Sequence, residues 1–380
     1  MNYLMVDISG KVPNYDIALC EAMHDVFDKD DHITLLAANI NPLKIKCPSK
    51  KLFSIIPKPL QNSENKIKRA FKALEGILNY IYLFFYVFFY KNDVIHFQWL
   101  PFLEVSLIEV FVLKLIKVAT PKSKFILTVH NIYPHNFGDS RKISYRNRFA
   151  KVEGFFDKFI VHLQVSKKEF CKEFGIDGNR VEVIHHGVFE PKGLKIKPHK
   201  RGEKLNLIMY GNQSYYKGTD ILVDAIALLS KEVQAKVHTL IVGKIDPNYY
   251  AKLKEKSKDL DIEWIPHFVP DDVLYEKIQD SDVIVLPYRQ ISQSGVLLLA
   301  LNFNRMIITS DLPSFKETLS NEFSNFFFKR EDAFSLKYVI ENVENNQIDE
   351  KDVIGKIESV KYCNSWMTAA CKYCDKIGII

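Results

Sequence analysis

Short apolar runs that do not alternate with polar residues, set between helical stretches, constrain this chain more than any other feature. In the first half they read NYLMVDI, HITLLAA, DVIHFQW, KFILTVH, FIVHL and VEVIHH; in the second, NLIMYG, HTLIVG, IEWIP, DVIVLP and MIITSD. Runs this short and this rich in Val, Ile and Leu are what parallel strands buried on both faces look like. Between them lie helical patterns such as DIALCEAMHDVF, TDILVDAIALLSKE and DDVLYEKIQD. Alternation on this scale predicts an α/β chain with doubly wound parallel sheets. The pattern lapses from Phe189 to Asn206, where FEPKGLKIKPHKRGEKLN is rich in Lys, Pro and Gly. We expect an N-terminal domain over 1–188, a linker over 189–205, a C-terminal domain over 206–361 and a closing helix within 362–380. A chain of 380 residues suits two cores better than one.

The charge is uneven. The net value is only +6, mild for a nucleic-acid binder, and no aromatic–basic stacking motif accompanies it, so nucleic acid is not an expected partner. Yet Lys44, Lys46, Lys50, Lys51, Lys58, Lys66, Lys68, Arg69 and Lys72 crowd one segment in which Glu64 is the only acid. Just after it comes GILNYIYLFFYVFFY, Gly76 to Tyr90, apolar on every helical face. A spanning helix needs about 20 such residues. Two readings stay open: a core helix, or one lying in a bilayer interface, its tyrosines wet at one end and its basic neighbours on anionic headgroups. MNYLMVD carries no secretory pattern, and the six cysteines are scattered, so reduced thiols in a cytoplasmic protein are expected. Cys371 and Cys374 form one CxxC with no second pair near it, which fits packing better than a metal site.

Ligands of open parallel sheets sit at the carboxyl ends of the strands. The residues ending these strands include Asp7-Ile8-Ser9-Gly10-Lys11, His130-Asn131, His185-His186-Gly187, Gly211-Asn212 and Pro287-Tyr288-Arg289. Glycines, histidines and cations outnumber acids there, a composition suited to phosphate. In YGNQSYYKGTDILVDAIALL, Lys217 stands at the start of a helix, where it is either a solvated lysine or a diphosphate ligand. In YRQISQSGVLLLAL, Ser294 and Gly295 open the next helix and Arg289 precedes them; an N-cap serine with a surface arginine is the alternative to an anion cradle.

Several stretches resemble the GT-B glycosyltransferases, family 4 and its bacterial polysaccharide-assembly relatives above all. DVIHFQW and LTVHNIYPHN are similar to that family's strand ends, VIHHGVF to its I-P-H-G-V, and YGNQSYYKGTDILVDAIALL to its G-x-x-x-x-K-G-x-D-x-L-I-x-A. IPHFVPDDVLYEKIQDSDVIVLPY and SGVLLLALNFNRMIITSDLPSFKE follow its later motifs in order. The resemblance covers most of the chain. It implies two Rossmann-like domains facing across a cleft, with the last helix, near Trp366, crossing back to the N-terminal domain. It further implies a donor-diphosphate set of Gly211, Asn212, Lys217, Arg289, Ser294 and Gly295, and a nucleobase contact at His267, Phe268 and Val269. His130 would reach the donor sugar, and Ser9, Gly10, Lys11 and His135 would border the acceptor.

Two departures stand out. The family's paired glutamates fall on Ile291 and Leu299, and its phosphate-binding arginine falls on Asn212. Arg289 is the candidate replacement for the arginine, and Glu317 for a carboxylate near the donor. No DxD stands in a loop, so neither metal nor cofactor is expected beyond a UDP- or GDP-linked sugar donor. An inverting reaction would need a base, for which Asp7, Asp16, His130 and His135 are candidates; a retaining one could use the departing phosphate. The implied function is sugar transfer to a polyprenyl-linked or other glycan acceptor in surface polysaccharide assembly, by a protein peripheral at the inner face of the membrane. Alternatives are a GT-B enzyme with a soluble acceptor and a non-catalytic GT-B binding subunit.

Overall fold

The computed structural model describes residues 1–56, 66–134, 138–191, 194–197, 201–345 and 350–377. The chain divides into two compact units, 1–187 with 364–380, and 188–363. The first holds a seven-stranded sheet of β1 (Asn2–Asp7), β2 (His32–Ala37), β3 (Ser49–Lys51), β4 (Val94–Phe97), β5 (Lys124–Thr128), β6 (Lys158–Val161) and β7 (Val181–Val183). Its order is β3-β2-β1-β4-β5-β6-β7 and every pairing is parallel. The second holds a six-stranded sheet of β8 (Leu205–Tyr210), β9 (Val237–Val242), β10 (Ile262–Ile265), β11 (Val283–Leu286), β12 (Met306–Ser310) and β13 (Phe327–Phe328). Its order is β10-β9-β8-β11-β12-β13, again all parallel. Strands β4, β11 and β12 are buried at every position, which is why they read as unbroken apolar runs.

Both sheets reverse direction beside their first strand, between β1 and β4 in one and between β8 and β11 in the other. Such a reversal splays the following loops apart and opens a crevice at the carboxyl end of the sheet. The loops after β8 and β11 come so close that a Cβ added to Gly218 (φ +73°) would lie 1.9 Å from the Pro287 carbonyl oxygen. Gly211 (φ +96°) likewise has a conformation that other residues rarely adopt.

The final helix, Trp366–Ile377, packs against the helix Pro13–Val26 inside the first unit. The Trp366 ring lies where a Cβ on Gly187 would be, at 2.2 Å, so the strand-end glycine of VIHHGVF is required for that seating.

The apolar segment expected over Gly76–Tyr90 is part of a longer helix, Lys66–Phe89. It is not buried all round: Tyr80, Leu83 and Val87 are in the core, while Ile81, Phe85 and Phe88 are exposed. By length and composition alone, Ile67–Phe89 could cross a membrane, unlike the shorter segment read from the sequence.

Candidate active site

The loops at the reversal of the second sheet carry Gly211, Asn212, Lys217, Arg289, Ser294 and Gly295. Lys217 ends a short turn, Tyr215–Lys217, and is 5% exposed. Its ammonium sits 5.3 Å from the centre of the Tyr288 ring and beside Gly211, where an added Cβ would approach it to 2.9 Å. Among the described residues no carboxylate pairs with it. Burial without a counter-charge lowers its pKa to about 8. A buried cation in that state gains more from an incoming anion than a solvated one does.

Arg289 is differently placed. Its Nη1 and Nη2 donate to the two oxygens of Asp220 at 2.9 and 2.7 Å, and Nη1 also donates to the Tyr215 carbonyl at 2.7 Å. The guanidinium lies over the Tyr215 ring, 4.0 Å from its centre. Tyr249 donates its hydroxyl to Asp220 at 2.8 Å. Burial pushes the Asp220 carboxyl up, but Arg289 and Tyr249 more than offset this and hold it below the usual carboxylate range. The expectation of a free phosphate clamp at Arg289 therefore meets a guanidinium already occupied. What the pair does is fix the loop that delivers Lys217. Gln213 adds to this: its amide donates to the Gly211 and Val242 carbonyls at 2.8 and 3.1 Å and accepts from the Thr219 hydroxyl at 2.8 Å.

Ser294 caps the helix Gly295–Ala300, its hydroxyl accepting from Leu297 N–H at 3.1 Å. Gly295 faces open space and Asn212 is exposed. After the edge strand β10, His267 is exposed, Val269 is half-buried and the Phe268 ring is 77% exposed. Glu317 lies on the helix Pro313–Leu319 after β12, one connection away from the reversal.

In the first unit, Asp7 ends β1 and turns its carboxylate on its own loop. Oδ1 accepts from the Ser9 N–H, the Ser9 hydroxyl and the Gly10 N–H at 3.0–3.1 Å, and Oδ2 accepts from Val12 N–H at 3.3 Å. Asp16 is fully buried, and among the described residues neither of its oxygens has a hydrogen-bond partner. Burial first, then the Asp7 charge, pushes its carboxyl far up. Lys11 pairs with Glu104 at 2.8 Å and covers Trp99. His135 lies outside the described residues.

His130, just past β5, belongs to a line of imidazoles held neutral chiefly by burial. His162 Nδ1 lies 3.1 Å from the Ile184 carbonyl, which only accepts, so Nδ1 carries the proton. Its pKa, lowered to about 3, leaves Nε2 as a bare acceptor, 3.3 Å from His130 Nδ1. His130 satisfies that acceptor only by donating from Nδ1. Gln98 Oε1, also an acceptor, stands 3.2 Å from His130 Nε2, so two acceptors face the single proton of the neutral ring. Tyr15 packs edge-on against His130 and also touches His162, His186 and Trp366.

A family model of group 1 glycosyl transferases matches residues 204–346, which span the second sheet. The whole chain also superposes on a glycosyltransferase from Rickettsia africae, with a TM-score of 0.68, 18% identity and 99% and 98% of the two chains covered. This chain has the GT-B fold, and its residues 204–346 resemble the group 1 glycosyl transferases. A second GT-B neighbour is HepE of Anabaena in complex with UDP, with a TM-score of 0.66, 15% identity and both chains covered in full. A curated relative of the GT-B chain, a GDP-mannose:glycolipid 4-beta-D-mannosyltransferase of Xanthomonas campestris, is 30% identical over 105 residues. That match takes in 27% of this chain and spans 29% of the relative's length.

Set against the pattern of the glycosyltransferases it resembles, the chain fills positions 291 and 299 with half-buried apolar side chains that pack on the core of the second unit. Sequence reading did not find Asp220, Tyr249, Gln213 or His162. Asp220 had a signal, since an acid in the first turn of a helix beside an arginine-bearing loop is a ready partner. His162 had none beyond its position at the end of β6. Among the described residues no group of three or more His, Cys, Asp or Glu is arranged to hold a metal.

Proposed function

We propose that the chain transfers a sugar from a nucleoside-diphosphate sugar to a lipid-linked or other glycan acceptor in surface polysaccharide assembly, working at the inner face of the membrane. The observation that carries this reading is Lys217: a buried ammonium with no carboxylate beside it among the described residues, at the reversal of a parallel sheet. It is the cation for the diphosphate. The loop at Gly211 and Asn212 and the Ser294–Gly295 helix start supply backbone N–H groups, and Arg289 serves the same site by holding the Lys217 loop. The exposed Phe268, with His267 and Val269, offers a face for a UDP or GDP base. His130 meets a substrate hydroxyl through its ring, and Ser9, Gly10 and Lys11 border the acceptor. The UDP-bound neighbour and the GDP-mannose-using relative support a nucleotide-sugar donor.

Thermal shift against UDP, GDP, ADP and their nucleosides tests this. A diphosphate should stabilise the protein where its nucleoside does not; no shift with any diphosphate would end the reading. The apolar residues at 291 and 299 favour a second reading, a binding subunit without turnover. Nucleotide binding with no transfer to any lipid-linked acceptor would select it.

A further inference from the structure

We propose that the outward faces of the helices Lys66–Phe89 and Ile108–Ala119 form one apolar plate that lies in the plane of an anionic bilayer surface. This deepens the membrane part of the function proposed above and depends on it only for the protein's place in the cell.

The crossovers β3→β4 and β4→β5 run the same way across the sheet order, so right-handed connections put both helices on one face. They pack side by side there. The first helix turns Ile81, Phe85 and Phe88 outward, 49%, 53% and 64% exposed. The second adds Phe111, Leu115 and Val118, at 66%, 41% and 73%. A helix face turned to water normally carries charge. From Ala73 to Tyr90 the only charged residue is Glu75, and it is buried. A contiguous exposed apolar surface of this kind marks a contact with something other than water.

The charges around the plate select the occupant. Arg69 and Lys72 precede the first apolar stripe, Lys114 sits within the second, and all three are exposed. Lys50 lies over the rings of Tyr86 and Tyr90 at 4.9 and 4.7 Å. Cations of one sign beside aromatic and aliphatic side chains match anionic headgroups above acyl chains.

The same helix is long enough to span, but its inner face forbids it. The Asn79 side chain accepts from Phe53 N–H at 2.8 Å and donates to the Ile8 and Phe53 carbonyls at 3.1 Å. Glu75 accepts from Ile55 N–H at 2.8 Å. A crossing would strip these groups from the sheet and leave them unpaired in hydrocarbon. Only the outer half of the helix is available to lipid.

Flotation with vesicles of phosphatidylcholine and phosphatidylglycerol at 3:1 tests the proposal. The wild type should bind, be released by alkaline carbonate and bind less to vesicles of phosphatidylcholine alone. Phe85→Ser with Phe111→Ser should lower partitioning at least tenfold, and Lys72→Glu with Lys114→Glu should remove the preference for the anionic vesicles. Both variants change exposed side chains and should keep the wild-type melting temperature and thermal shift with UDP or GDP. Wild type that fails to float overturns the proposal, as does a double serine variant that floats unchanged. Resistance to carbonate would mean a crossing helix. A wild-type dimer in light scattering that Phe85→Ser with Phe111→Ser makes monomeric would put a second copy on the plate. A loss of nucleotide response without loss of flotation would instead count against the donor site alone.

Discussion

Arg289 closes both terminal guanidinium nitrogens on Asp220, 69 residues earlier in the chain, at 2.9 and 2.7 Å. The pair joins the loop after β11 to the helix that follows the Lys217 loop. Removing either partner leaves a partly buried charge alone and should cost about 2 kcal/mol of stability. If Arg289 acts by holding the loop, Arg289→Ala and Asp220→Ala should weaken UDP or GDP binding to a similar extent, and the double variant should be little worse than either. Urea unfolding with calorimetric titration reads both effects. Tighter binding in Asp220→Ala would mean that the freed guanidinium reaches phosphate itself.

The Lys217 ammonium gives up its proton at about pH 8 in the free protein. A bound diphosphate would hold that proton to higher pH, so binding takes up a proton above pH 8. Affinity should then fall with rising pH by up to about tenfold per unit. Below pH 8 it should be flat with respect to this group. Lys217→Met should bind weakly at every pH and lose the slope. Titrations from pH 7 to 9.5 check this.

The Ile184 carbonyl sets the proton on His162, whose Nε2 then competes with Gln98 Oε1 for the ring proton of His130. His162→Phe removes the acceptor for His130 Nδ1–H, so the Nε2–H tautomer should become populated. Nitrogen-15 shifts of the His130 ring would show the change directly. In a transfer assay kcat should drop at least tenfold while the donor KM moves little, because the placement of the ring proton rather than the binding surface is changed. An unchanged His130 spectrum would make His162 a packing residue.

Glu109 lies at the start of the helix Ile108–Ala119, its Oε1 accepting from Phe102 N–H at 2.5 Å and from the Tyr80 hydroxyl at 3.3 Å, while Oε2 has no partner among the described residues. Burial raises its pKa from 4.5 to about 7, against the pull of those donors. Its contribution to stability is full below pH 4.5 and is lost as pH rises through about 7. The loss should be on the order of 3 kcal/mol. Glu109→Gln should be the more stable protein above pH 7 and should flatten the dependence between pH 5 and 7.5 in chemical denaturation.

The amino-acid sequence determined the architecture, because parallel strands such as Val283–Leu286 and Met306–Ser310 are buried on both faces and must be apolar along their whole length. It also singled out Gly211 and Lys217, since a glycine at a strand end and a lysine at a helix start are local features. The environment of Lys217 was not local. Its buried ammonium depends on the Tyr288 ring from another loop, and the fate of Arg289 depends on Asp220. The tautomer of His162 follows from a carbonyl 22 residues away in sequence, and the helix ending at Phe89 proved half-anchored because Asn79 binds the backbone of Ile8 and Phe53. Burial patterns are written along the chain because each residue meets water or core by itself. Which charge meets which partner was decided only when the sheet order brought distant loops to one end, since electrostatic pairing depends on distance in space and not on spacing in sequence.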